Sequence, residues 1–144
     1  MTIEEINKIC KNTFVDYMGI EFLDFGENYV VARMPIDSNK LQPMGLLHGG
    51  VSLALAETVG SGGSLLLVDN NVYSVLGLQV TGNHIASISE GQLIARAEII
   101  HKGQLTHIWD VRISTEDGKL ISVARVTNVI IEKKRGKNPD ADCS

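Results

Sequence analysis

The spacing of apolar residues changes character twice along the chain. Near the start, Ile6, Ile9, Cys10, Thr13, Phe14 and Tyr17 recur at helical intervals behind Thr2 and Glu5, which match a capping box. This predicts one N-terminal helix ending at Gly19, with Cys10 on its core-facing side. Residues 20–25 and 29–34 read as two strands joined by Gly26-Glu27-Asn28, with Val30, Ala32 and Met34 alternating against Tyr29, Val31 and Arg33. Residues 35–43 read as a loop. Residues 50–68 form an apolar run too long for one strand, so a helix is expected. It carries almost no charge around its circumference, which predicts burial on nearly all sides.

Asp69-Asn70-Asn71 closes that helix, and the period then shifts to strands. Residues 72–85, 92–102, 105–115 and 119–132 are rich in β-branched side chains, with turns at Ser89-Glu90-Gly91, Lys102-Gly103-Gln104 and Glu116-Asp117-Gly118. Asp117-Gly118 is a strong hairpin signal. Strands before and after one enclosed helix predict an α+β fold in which a curved antiparallel sheet wraps around one long central helix. Gly60, Gly62 and Gly63 each cost that helix roughly 1 kcal/mol relative to alanine. They are expected to admit strands close to its axis.

At 144 residues a single domain is expected, with 136–144 as a flexible tail. Net charge is −4 and the basic residues cluster only at Lys133-Lys134-Arg135-Gly136-Lys137, so no nucleic-acid partner is expected. Cys10 and Cys143 lack metal or redox spacing and fit a reducing compartment. The opening Glu4-Glu5 is unlike a secretory signal, and no run reaches the ~20 apolar residues of a membrane span. A cytoplasmic protein without a membrane partner is expected.

The chemistry concentrates in residues 41–64. Gln42 precedes the turn His48-Gly49-Gly50, and Glu57 stands as one carboxylate in an otherwise apolar helix, with Ser61 four residues on, on the same face. A glycine N–H at a helix N-terminus favours developing negative charge, and Glu57 could act as base or nucleophile. Other readings stay open at this point: Glu57 paired across an interface, His48 as a helix cap, Ser61 and Ser64 as small packing residues, His84 and His107 as satisfied strand residues. His48, His84, His101 and His107 show no metal-binding spacing, so no metal site is expected, and Ser61 lacks the surroundings of a serine-hydrolase nucleophile.

The element order together with Gln42-Pro43, the segment Gly45 to Gly50 and Ala56-Glu57-Thr58-Val59-Gly60-Ser61 resembles the hotdog-fold acyl-CoA thioesterases. The most similar branch holds the 4-hydroxybenzoyl-CoA and 1,4-dihydroxy-2-naphthoyl-CoA thioesterases and the proofreading thioesterase of enterobactin synthesis. Gly82-Asn83-His84, Gly103, His107 with Trp109, and Arg125-Val126-Thr127 agree with it. The resemblance implies that Gln42 and the Gly49 N–H polarise the thioester carbonyl. It likewise implies Glu57 as nucleophile or general base, Ser61 positioning water, and His48 supporting the loop. His84, Lys102 and Gly103 are the implied substrate-binding residues. Ala86 stands where relatives often have a basic residue, which leaves phosphate recognition open.

The resemblance implies an acyl-CoA substrate with an aromatic acyl group, no cofactor beyond the substrate's own coenzyme A, and a homodimer with shared active sites that pairs into a tetramer. The spacing implies sharing as well. Gly49 and Glu57 are eight residues apart, about 12 Å along a helix, too far to meet at one carbonyl. A catalytically silent acyl-CoA-binding module of the same fold is the alternative. A hotdog hydratase or dehydratase is disfavoured because its Asp/His pairing is not visible.

Overall fold

The computed structural model describes residues 1–134. The proposed tail over 136–144 and Cys143 lie outside the described residues. Six strands form one antiparallel sheet in the order β1-β2-β4-β5-β6-β3, from β1 (Glu21–Phe25), β2 (Tyr29–Ile36), β3 (Tyr73–His84), β4 (Gly91–Lys102), β5 (Thr106–Thr115) and β6 (Leu120–Glu132). The sheet curls around the 19-residue helix that follows β2, Gly49–Leu67.

The N-terminal segment departs from expectation. It is two helices, α1 (Ile3–Ile9) and α2 (Phe14–Tyr17), making the central helix α3. The capping box forms as predicted, with Thr2 N–H donating to Glu5 at 2.7 Å and Glu5 N–H to the Thr2 hydroxyl at 3.1 Å. The break lies at Asn12, which adopts φ 62°, a left-handed conformation that asparagine tolerates. Thr13, read as a helix-face residue, caps α2 by accepting the Val15 N–H. The break turns α2 outward, leaving Phe14 58% and Tyr17 72% exposed. Cys10, expected in the core, is half-buried.

Strand β2 runs two residues further than predicted, through Pro35 and Ile36. Pro35 pairs with Gln92 of β4, while pairing with β1 has ended at Arg33, so no partner on that side needs the missing N–H. The other strands and turns follow the sequence reading closely. Inward residues alternate along each strand: Val30, Ala32 and Met34 on β2, Leu93, Ala95 and Ala97 on β4, Trp109, Val111 and Ile113 on β5.

The sheet reaches α3 through its glycines. A β-carbon on Gly63 would lie 2.7 Å from the Trp109 ring, and one on Gly60 would lie 3.0 Å from Val126. Burial is one-sided, however. Leu55, Ala56, Val59 and Ser64 face the sheet and are buried, whereas Leu53, Ala54, Glu57, Thr58 and Ser61 remain partly exposed. The expected burial on nearly all sides therefore fails for the single chain. By length and composition α3 meets the bare requirement for a membrane span, as the core helix of a folded domain also can; half of it is buried within the fold.

A polar network is sealed between α3, β5 and β6. The Ser64 hydroxyl accepts from Trp109 Nε1 at 2.9 Å and from Asn128 Nδ2 at 3.0 Å, and stands 3.0 Å from His107 Nδ1. With both lone pairs used, Ser64 donates its hydrogen to His107, which must be unprotonated at Nδ1. His107, Ser64 and Asn128 are each at most 2% exposed. Burial, reinforced by Lys102 and His101, holds the His107 pKa below its ordinary value of 6.5. His107 and Ser64 are thus satisfied structural residues.

Two outcomes follow from this packing. Gly63→Ala gains about 1 kcal/mol of helix propensity but presses a methyl on a fully buried indole, at a cost of about 1–3 kcal/mol. The clash is expected to win, and thermal unfolding should show a lower Tm. Because His107 titrates below its unfolded value, the unfolded chain takes up the proton first as pH falls. Stability should be complete above about pH 6.5 and decline below it. His107→Asn, which keeps an acceptor for Ser64, should flatten that part of a Tm-against-pH curve.

Candidate active site

The chain before α3 is held by backbone bonds rather than by packing. His48 N–H donates to the Lys40 carbonyl at 2.9 Å, Gln42 N–H to Leu46 at 2.7 Å, and Leu47 N–H to Ile88 at 2.7 Å. Lys40 anchors the segment and was not recognised from sequence. Its side chain is 3% exposed, and Nζ donates to the Pro35 carbonyl at 2.7 Å and to Asp37 at 3.0 Å. That ammonium holds the Asp37 carboxyl below the usual range. A buried lysine in a polar loop resembles any exposed lysine in sequence, so no local signal marks it.

Within this frame Gln42 and Gly49 become donors. The Gln42 side-chain oxygen accepts the Met44 N–H, which turns its amide nitrogen outward as the free donor. His48 caps α3, its Nδ1 accepting the Gly50 N–H at 2.8 Å. The Gly49 N–H begins the helix and makes no backbone hydrogen bond. It is therefore an orphan amide at the positive end of the helix dipole. The cap role of His48 and the donor role of Gly49 are parts of one turn.

His84 joins them. Its Nδ1 lies 3.0 Å from the Ser122 hydroxyl, and its Nε2 would stand 2.5 Å from a β-carbon on Gly49. The imidazole therefore covers the helix start, beside a small cavity of about 110 Å³ that Gly49 and His84 share.

Glu57 and Ser61 lie elsewhere. They open on a separate, mostly apolar groove of about 330 Å³ between α3 and the N-terminal helices. The Glu57 carboxylate rests on the backbone of β3, where a β-carbon on Gly77 would lie 2.5 Å from Oε1. Gly77 sits at a register shift between β3 and β6. Ser61 donates its hydrogen to Asn128 Oδ1 at 3.0 Å. Asn128 is fixed in that sense because its Nδ2 donates at 3.1 Å to the Gly60 carbonyl, which can only accept. The Ser61 oxygen thus keeps its lone pairs for a water or another donor.

Asn128 and Gly77 were missed from sequence. One polar residue at an inward position of the β-branched segment Val126 to Ile131 was the available signal for Asn128. Gly77 had none. Lys102 and Gly103 are not brought to either half of the site. They end β4 at the hairpin to β5, where Lys102 pairs with His107, His107 with Asn128 and Asn128 with Gly77, so three strand spacings separate Lys102 from the Gly77 backbone.

Comparison with known proteins identifies the family and the fold. Residues 44–122 match the thioesterase superfamily. A thioesterase from Pseudomonas aeruginosa, solved as a variant, is 41% identical, with a TM-score of 0.88 over 92% of this chain and 96% of that one. A thioesterase from Haemophilus influenzae is 40% identical with a TM-score of 0.88, covering 94% of each chain. The 1,4-dihydroxy-2-naphthoyl-CoA hydrolase of Escherichia coli is 34% identical over 131 residues, 91% of this chain and 96% of that protein.

Gly77→Ala isolates the seat of the carboxylate. The atom that must move is the far end of a flexible side chain, so the Tm should stay within a few degrees of the parent. A crystal structure of the variant should show the Glu57 carboxylate displaced from β3.

Proposed function

The chain belongs to the thioesterase superfamily and is a thioester hydrolase, and we propose that it cleaves acyl-CoA thioesters in a site built by two copies of the chain. One observation carries the sharing. The free Gly49 N–H and the Glu57 carboxylate lie on one uninterrupted helix, about 12 Å apart, and open on different cavities. Neither half has both the Gly49 donor and the Glu57 carboxylate. The Gly49 end of one copy placed against the Glu57 groove of another supplies both, twice over.

The edge of the sheet supports such a pairing. Strand β3 is a 12-residue outer strand that, among the described residues, has no strand paired to its far side, and Leu76 and Leu78 on it are 55% and 61% exposed. A long, apolar open edge is a template for a second strand, here that of another copy. Pairing of two dimers is supported by the outer sheet face. There Arg96 stands opposite Arg112 and Glu98 opposite Asp110 on adjacent strands. Within the chain Glu98 is bridged to Arg96 at 3.0 Å and Asp110 to Arg125 at 2.8 Å, so this face offers a second dimer a mixed charged surface.

In the proposed reaction, the thioester oxygen takes hydrogen bonds from the Gly49 N–H and the Gln42 amide, which stabilise the charge that forms there. The second copy's Glu57 accepts a proton from water held by Ser61, or attacks the carbonyl carbon itself. The carbon–sulfur bond then breaks, and the departing thiolate takes up a proton, from Glu57 on the base route, to leave as coenzyme A thiol. The base route releases the acid directly, whereas direct attack leaves an acyl–Glu57 anhydride that water hydrolyses to the acid and the restored carboxylate. His84 over the helix start borders the thioester end. An aromatic acyl group is the class that the Escherichia coli relative's name supports.

Release of thiol from purified protein and a panel of acyl- and aryl-CoA thioesters tests the assignment. Glu57→Gln should lower kcat by about 10³-fold or more while substrate still binds, and Gly77→Ala should lower it by about 10²-fold through misplacement of the carboxylate. Turnover unchanged by Glu57→Gln would leave a binding module as the better reading.

A further inference from the structure

The groove that opens from Glu57 has a polarity gradient, and it bears on which acyl groups fit. Its polar side chains are Glu57, Thr58 and Ser61. These occupy just over one turn of α3. The groove continues along the same helix to Gly62 and Leu65, and Leu65 is eight residues, about 12 Å, beyond Glu57. A β-carbon on Gly62 would collide with the Phe22 ring and lie 3.3 Å from Ile6, so α1 and β1 close over the helix at that distal point.

That distal wall offers little to a polar group. Ile6, Ile9, Phe14, Val15 and Phe22 supply it, with the Cys10 thiol as its weakest polar element. Three of its backbone carbonyls are engaged too. The Ile6 carbonyl accepts from Cys10 N–H at 3.2 Å, that of Cys10 from Thr13 N–H at 3.3 Å, and that of Phe22 from Asn7 Nδ2 at 2.9 Å. A hydroxyl pressed against Ile6 and Phe22, which are 1% and 2% exposed, would lose its water and meet only apolar side chains, a loss comparable to that of any buried unsatisfied donor.

We propose that this groove selects acyl groups whose far end is apolar, an unsubstituted phenyl ring or an alkyl chain, and discriminates against rings hydroxylated opposite the carbonyl. The inference rests on the thioesterase reading of Glu57 and Ser61 and narrows its substrate class. A hydroxyl next to the carbonyl is a different case, because Thr58 and the Ser61 oxygen stand at that end. The discriminating residues are those that α1 and the segment after it contribute to the groove wall, Ile6, Ile9, Cys10, Phe14 and Val15.

The test compares benzoyl-CoA with 4-hydroxybenzoyl-CoA by thiol release, and in parallel the binding of their non-hydrolysable thioether analogues. The unsubstituted thioester should have about tenfold higher kcat/KM, and its thioether about tenfold tighter binding. Cys10→Ser and Val15→Thr each place a hydroxyl on the wall with little change of shape, and each should shrink that ratio. A 4-hydroxybenzoyl thioester turned over as well as the unsubstituted one, or a ratio that neither variant alters, overturns the inference and leaves the thioesterase reading intact. If neither thioester releases thiol, the thioesterase reading fails and the thioethers decide. Tighter binding of the unsubstituted analogue upholds the groove's selectivity, whereas equal or absent binding overturns it.

Discussion

The close approach of the sheet to α3 is the constraint on which the rest of the structure depends. Trp109 and Val126 lie where β-carbons of Gly63 and Gly60 would be, so the sheet can curl around the helix only because those atoms are missing. The helix gives up intrinsic propensity for this contact, and burial of Trp109, Leu55 and Val59 offsets the loss. The curl also exposes the opposite side of α3. Glu57, Thr58 and Ser61 lie there because the sheet's concave face takes the other residues.

Serving as both core and chemical element forces a division on α3. Its N-terminus provides the orphan amide and its third turn the carboxylate, and a rigid helix keeps them about 12 Å apart. No rearrangement within one chain brings them together. An open β3 edge beside the Glu57 carboxylate, with Gly77 giving that carboxylate room, makes a second copy the physically economical completion.

The sealed network links core to site. Ser64 sends its hydrogen to His107 and receives Trp109 and Asn128; Asn128 in turn fixes Ser61. The direction of each bond is settled by partners that can only donate or only accept. The orientation of Ser61 at the groove is thereby determined by residues that never reach solvent, and a neutral His107 is part of that arrangement.

Local order was legible in the chain because it depends on near neighbours. The capping box, the turn at Asp117-Gly118, the period of each strand and the long apolar helix are properties of a few consecutive residues. The turn at His48-Gly49-Gly50 and the lone carboxylate Glu57 with Ser61 four residues on were also visible as short-range features, whereas Gln42 stood out only through the resemblance. Periodicity failed where a single residue, Asn12, reset the helix and turned Phe14 and Tyr17 outward. Tertiary structure alone decided which side of α3 stays open, that Lys40 is buried, that Asn128 and Gly77 stand beside Ser61 and Glu57, and that Lys102 and Gly103 lie apart from them. Those relations join positions from 5 to 68 residues apart in sequence through strand register and curvature, which no local pattern encodes.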